Sequence, residues 1–184
     1  MEALATRIHP LKYKNKDAAE KLIRYITRTR AYELDEKARE LILWGTASGY
    51  HYHMPIHELI NQFIFIQNYY NAKSYLMCHY SIRIRPETMQ RINNNYYAIA
   101  DYGVACCNYI YSLGFQSCFA IHHSKDKGVH IHLAINTAKF TSEHKLRQYP
   151  KEIKKTIEYP LLKLLEAYLY QPTQFSSLDI EVIP

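Results

Sequence analysis

The chain has 184 residues, 48% hydrophobic and 22% charged, a balance that excludes wholesale disorder and gives a single domain spanning residues 1–184. No apolar run approaches the ~20 residues of a membrane helix and the first residues carry no signal-peptide pattern, so a soluble, cytoplasmic protein is expected. Lys and Arg number 23 against 17 Asp and Glu, and the net charge of +6 suits a polyanionic partner without requiring one.

Residues 6–11 read as a short strand closed by Pro10. The periodicity predicts a helix over 16–29, with Asn15 as N-cap and an apolar stripe of Leu22, Ile23 and Ile26. A second helix is expected over 35–44, a loop over 45–55 and a third helix over 55–69, opening on Pro55. Residues 74–85 alternate: Leu76, Cys78, Tyr80, Ile82 and Ile84 share one face, and His79, Ser81, Arg83 and Arg85 the other. That is a half-buried strand with a polar face, ended by Pro86. A long helix is expected over 87–113, with Gly114 as its C-terminal cap.

Residues 118–123 and 129–137 read as a β-hairpin around the turn SKDKG at 124–128. Residues 151–170 are mostly helical with a break near Pro160, and 176–184 are a last strand or a tail. Antiparallel strands mixed with helices make the fold class α+β. Cys78, Cys106, Cys107 and Cys118 form no CxxC pair and read as reduced core thiols.

The chemistry concentrates in FQSCFAIHHSKDKGVHIHLAINT, residues 115–137. On a strand His130, His132 and Asn136 point one way, while Ile131, Leu133 and Ile135 point the other, toward a core. Two imidazoles at i and i+2 form a bidentate metal platform. Parity adds a third. Phe119 and Ile121 belong on the core face, which leaves His122 with the imidazoles and sends His123 the other way. A bulge at the turn exchanges the two. His122, His130 and His132 are thus the candidate ligands of one divalent cation. Across a shared sheet, Arg83 and Arg85 are candidates to meet a phosphate beside it. His51, His53 and His57 form a second cluster that lacks apolar alternation and reads as loop.

HIHLAIN at 130–136, preceded by AIH, resembles the third motif of the MobA-like relaxases, mobilisation nucleases of plasmids and conjugative elements in the His-hydrophobic-His endonuclease superfamily. RIHPLKYKNKDAAEKLIRYITRTR at 7–30 is similar to their first motif, and HYSIRIRPE at 79–87 to their second. The three occur in the family's order over about 6–140, leaving a C-terminal helix and tail over 150–184. The resemblance implies a central antiparallel sheet of about five strands flanked by helices, with the active residues on one exposed sheet face.

It also implies strand-specific nicking of DNA at a transfer origin, with rejoining through a covalent 5′-phosphotyrosine. Tyr25 matches the nucleophile, and Mg²⁺ or Mn²⁺ is the implied cation, although three imidazoles also suit Zn²⁺. His79, Arg83, Arg85, Arg24 and Arg28 would contact the DNA. The implied partners are single-stranded DNA with an adjacent hairpin, an accessory DNA-binding protein and a type IV secretion coupling protein. Where many relatives carry acidic residues after the first His, this chain has His123, Ser124, Lys125 and Asp126. No carboxylate flanks His79 on its face. Asp126 is the nearest candidate to orient a ligand His and Asp101 a remote one; His123, Asp126 and Asn136 are alternative ligands or supports. Two rivals remain. A replication initiator or single-strand transposase of the same superfamily would take its tyrosine from Tyr149, Tyr159, Tyr168 or Tyr170. A catalytically inactive DNA-binding homologue would need none.

Overall fold

Two long strands joined by a tight turn form the spine of the molecule, and every other strand is ordered by them. The computed structural model describes residues 5–8, 11–29, 36–50, 55–71, 75–142 and 154–170. In chain order its elements are β1 (Ala5–Ile8), β2 (Leu11–Tyr13), α1 (Ala18–Ile26), α2 (Glu36–Arg39), β3 (Leu41–Thr46) and β4 (Gly49–Tyr50). Then follow α3 (Ile56–Tyr69), β5 (Met77–Ile84), α4 (Pro86–Arg91), α5 (Tyr96–Ser112), β6 (Phe115–Ser124), β7 (Gly128–Lys139), a π-helical turn (Lys154–Glu158) and α6 (Tyr159–Tyr170).

The sheet order is β1-β5-β7-β6-β3-β4, with β2 also on β5, and every pairing is antiparallel. β1 and β2 both pair with β5 along one edge of the sheet, and residues 9–10 between them lie outside the described residues. With those two counted together and the two-residue β4 set aside, the sheet has five strands.

Helices cover both faces. On one, Tyr80, Ile82, Phe119, Ile121, Ile131 and Leu133 pack against α5 and α6. On the other, the small side chains Cys118, Ala120 and Ala134 let α1 and α3 lie close, with Leu22, Ile23, Ile26 and Phe63 filling the gap. The imidazole face is therefore roofed by α1 and α3 over part of its length rather than open along it, a correction to the exposed face implied above.

Phe119 shows how closely the first layer packs. A Cβ on Gly45 would stand 2.8 Å from its ring, and one on Gly103 in α5 would stand 2.5 Å from it. Both positions accept only glycine without a shift of the ring or backbone.

Four elements differ from expectation. Residues 35–44 are not one helix: α2 is a single turn and LILWGT continues as β3, because β6 offers an edge on which Leu43 and Gly45 become buried. The loop expected at 45–55 holds β4, which closes a small hairpin on β3. The helix expected over 87–113 divides at Asn93 and Asn94, whose φ of 52° and 55° end α4, after which the Asn95 side chain caps α5 by accepting from the Tyr97 and Ala98 amides. Finally α1 starts at Ala18 after Asp17, and Asn15 contributes its backbone carbonyl, not its side chain.

The break near Pro160 is the step from the π-helical turn into α6. Proline has no N–H for the Thr156 carbonyl; the Tyr109 hydroxyl donates to it instead, at 2.7 Å. The strand or tail at 176–184 lies outside the described residues.

Candidate functional site

β7 presents His130 and His132 on the α1 side of the sheet, and the register sets their neighbours. His122 pairs with His130 from β6, Arg83 pairs with His130 from β5, and Ser81 and Ala120 flank His132. Ligand atoms of His122, His130 and His132 lie within 4.8 Å of one another, and all three side chains are buried. His123 points to the opposite side, where its Nδ1 lies 2.7 Å from the Tyr96 hydroxyl.

The ring nitrogens fall into two sets. His122 Nε2 donates to the Ile26 carbonyl at 2.6 Å, one of the orphan carbonyls at the C-terminus of α1, and Nδ1 accepts from the Arg28 guanidinium at 3.2 Å. His130 Nδ1 donates to the Gly128 carbonyl at 3.0 Å, leaving Nε2 bare. His132 Nδ1 lies 2.8 Å from His79 Nε2, while His132 Nε2 is buried with no partner. His130 and His132 are thus anchored through one nitrogen and keep the other bare, the pattern of metal-ligating histidines, while His122 gives its second nitrogen to Arg28.

Burial keeps these rings neutral, which is the state a cation needs. It lowers His79 to about 4 and His122 to about 3, the latter helped by the Arg28 charge. Burial likewise pushes His130 below the usual imidazole range and His132 well below it, with His79 and His122 adding to the effect on His132.

Tyr25 lies at the C-terminal end of α1, 44% exposed, so its phenol borders both the cluster and solvent. Its ring meets those of His132 and His79 edge to face, at centroid distances of 5.6 and 6.1 Å. Three residues on, Arg28 takes the left-handed conformation (φ 57°). The Thr29 amide bonds the Arg24 carbonyl and the Arg28 amide the Tyr25 carbonyl, a Schellman ending with arginine where glycine is usual. That backbone costs about 1 kcal/mol. It carries the guanidinium back over the Tyr25 ring, 5.1 Å from its centroid, onto Glu40 at 2.6 Å and beside His122 Nδ1 at 3.2 Å.

The other candidates are placed as follows. His79 is buried behind His132, with its Nδ1 a long 3.5 Å from the Tyr13 hydroxyl, and so is turned inward rather than toward a DNA strand. Arg83 is exposed next to His130 and, with Arg85, Pro86 and Glu87, lines an open cleft of about 320 Å³. Arg24 pairs with Glu20 at 3.0 Å.

Asn136 is fully buried away from the imidazoles' inward nitrogens. It donates to the Phe63 carbonyl and Gln116, and accepts from Gln67 and the Ala138 amide. Asp126 sits exposed in the hairpin turn, held below the usual carboxylate range by the Ser124 hydroxyl. Asp101 is on α5, behind the sheet. Neither acid orients a ligand ring among the bonds seen. Tyr159 and Tyr168 are exposed on α6, which packs on the opposite face of the sheet from the imidazoles. Tyr149, His51, His53 and the Tyr170 side chain lie outside the described residues.

Glu40 and Tyr13 are site neighbours with no signal of their own in the sequence. Glu40 was hidden inside the helix expected over 35–44; as the residue before β3, its carbonyl accepts from the His123 amide at 2.8 Å and its side chain turns to the cluster.

The donor set fits a divalent cation on one observation above all: His132 Nε2 is buried and bare of any partner, in a ring whose ligand atom lies within 4.8 Å of those of His122 and His130. No helix among the described residues is long and apolar enough to cross a membrane. In comparisons with known proteins, the profile of a relaxase family, described as MobA/VirD2-like, nuclease domain, matches residues 25–160, well over half of the chain. That span begins at Tyr25 and includes every imidazole of the cluster. No curated protein matches the chain.

Proposed function

The chain belongs to the MobA/VirD2-like relaxase family, DNA-nicking enzymes, and on that premise we propose that it cleaves and rejoins one DNA strand at a transfer origin through Tyr25. The observation that carries this reading is the Tyr25 ring standing 5.6 Å from His132 at the mouth of a buried three-imidazole cluster.

His130 Nε2 and His132 Nε2 would hold the cation, joined by His122 Nδ1 in exchange for its hydrogen bond from Arg28. When bound, it supplies Lewis acidity at the phosphoryl oxygens and fixes the phosphate for in-line displacement. Nitrogen donors suit Mn²⁺ or Zn²⁺ better than Mg²⁺, which prefers oxygen.

The Tyr25 hydroxyl oxygen attacks phosphorus. The new O–P bond forms as the bond to the 3′ oxygen breaks, the phenol gives up its proton and the departing 3′ oxygen takes one. The 5′ phosphate ends on Tyr25 and the other end is a free 3′-hydroxyl. Because a phosphodiester is exchanged for a phosphodiester, the step reverses with little change in energy, and the same site rejoins strands. Arg28, above the phenol, and Arg83, beside His130, would take phosphate oxygens. Conjugative mobilisation is the process such a nick would begin. Tyr159 and Tyr168 are exposed on α6, across the sheet from the imidazoles, which favours Tyr25 over either of them as the nucleophile.

The test is a search for a detergent-resistant protein–oligonucleotide adduct with single-stranded DNA tiling the transfer origin, with Mn²⁺ or with chelator. Adduct is expected only with the metal and never in Tyr25→Phe. Adduct persisting in Tyr25→Phe would assign the nucleophile elsewhere.

A further inference from the structure

We propose that His79 is a positioning residue that fixes the tautomer and direction of His132, the role a carboxylate plays for many metal-bound histidines. The proposal rests on the reading of the three-imidazole cluster as a cation site and names what holds its central ring.

Counting donors and acceptors decides which ring carries the shared proton. His132 Nδ1 and His79 Nε2 are 2.8 Å apart, so one of them holds the hydrogen between them. If His79 donated, the neutral His132 would carry its own hydrogen on Nε2. That atom is buried and partnerless, and its neighbours across the cluster are the other imidazoles. A buried N–H without an acceptor is the arrangement proteins avoid most. If His132 Nδ1–H donates, the bond is satisfied, Nε2 presents a bare lone pair to the cluster, and His79 Nδ1–H is left to face the Tyr13 hydroxyl at 3.5 Å. Only the second arrangement gives every hydrogen a partner.

The fold makes the contact by diagonal placement. His79 is registered opposite Ala134, so its ring leans past a methyl group onto the residue two positions back. The nearby carboxylates do not compete for this position, since Asp126 is out in the turn and Glu40 is engaged by Arg28. Both rings stay uncharged, so the pair orients the ligand without adding negative charge to it.

Two measurements test this. In the metal-free protein, long-range ¹H–¹⁵N NMR of the imidazoles should show His132 in the Nδ1–H form and should show that preference lost in His79→Phe. An Nε2–H form of His132 in the wild type would overturn the proposal, and this arm needs no metal. Second, calorimetric titration with Mn²⁺ should give an affinity about 10- to 100-fold weaker in His79→Phe. Much of it should return in His79→Gln, whose amide oxygen reaches the same place as the lost nitrogen. Unchanged affinity in His79→Phe, or no rescue by Gln in a variant that keeps the wild-type fold by circular dichroism, would refute it. Failure of the wild type to bind Mn²⁺ or Zn²⁺ at all would instead remove the cation site itself, while leaving the tautomer result to stand alone.

Discussion

Arg28 Nη2 donates to His122 Nδ1 at 3.2 Å, the nitrogen opposite the one by which His122 donates to the end of α1. A fixed positive charge therefore sits against one of the three atoms expected to meet a cation. It is held there by Glu40 and by a left-handed backbone turn. The same side chain overlies Tyr25, so one guanidinium touches both the proposed nucleophile and the imidazole cluster.

Removing that charge has opposite effects on the two. In Arg28→Gln, repulsion of an incoming cation falls and Glu40 loses its partner, and both changes favour metal. Mn²⁺ affinity should rise about tenfold, the size expected for one partly screened charge within ~6 Å. Nicking should fall, because a phosphate contact is lost. Calorimetry and an adduct assay at saturating Mn²⁺ separate the two, and weaker metal binding in this variant would reject the electrostatic account.

Stability of the metal-free protein should drop in mild acid. His79 and His122 are held at about 4 and about 3 in the fold, while in the unfolded chain a histidine titrates near ~6.5. Between those values the unfolded state binds more protons, so stability rises with pH. It is complete above about 6.5 and declines as pH falls toward 4 and then 3, by up to ~1.4 kcal/mol per pH unit for each histidine. Thermal unfolding in chelator should show a markedly lower Tm at pH 5 than at pH 7.5. In His122→Asn the difference should shrink. A flat profile over this range would show that the rings are not held neutral.

Asn136 is expected to matter for folding rather than chemistry. Its side chain is saturated by four bonds: three tie β7 to α3 and to β6, and the fourth accepts from the Ala138 amide within β7. Asn136→Ala takes a partner from the buried Phe63 carbonyl, the buried Gln67 side chain, the Ala138 amide and the half-buried Gln116 side chain, a loss of about 2–3 kcal/mol. In a domain of this length that lowers Tm by roughly 4–12 °C. Metal affinity per folded molecule should be unchanged, and a large selective loss of Mn²⁺ binding would return Asn136 to the site.

Why some of this is legible in the sequence follows from the range of each interaction. The face shared by His130 and His132 is written in the strict alternation with Ile131, Leu133 and Ile135, and the parity of Phe119 and Ile121 separates His122 from His123 on the paired strand. Those are local, period-two signals. LILW at 41–44 has no period, and only the free edge of β6 makes it a strand. The three consecutive asparagines at 93–95 did carry a stop signal, which the apolar pattern on both sides masked. The Arg28–Glu40–His122 contact and the His79–His132 contact join residues far apart in the chain. The first needs an arginine in a glycine-like conformation and the second a strand register, and no spacing rule encodes either. Acids are the usual supports behind ligand histidines, which makes Asp126 and Asp101 the natural candidates from sequence; the partners that the fold gives His132 and His122 include an imidazole and a peptide carbonyl.

Glu40→Gln reverses the charge change of Arg28→Gln and decides whether the pair tunes the cluster electrically or simply props it. Glu40 is the carboxylate that touches the site, at 2.6 Å from Arg28, and its attraction partly offsets the lowering of His130. Its neutral amide keeps the shape and one hydrogen bond to the guanidinium but removes the negative charge. Arg28 then faces the imidazoles uncompensated, and Mn²⁺ binding should weaken by about three- to tenfold, the scale of a half-buried charge pair. Combining the two substitutions should bring affinity back near the wild-type value, because the pair is neutral with or without its charges. If both single variants weaken binding, the pair acts by holding the backbone turn at Arg28, and the left-handed residue rather than the charge is what the site requires. A guanidinium freed from Glu40 would also bind DNA phosphate more readily. Glu40→Gln is therefore expected to hold single-stranded DNA more tightly in chelator, with a steeper fall in affinity as salt is raised.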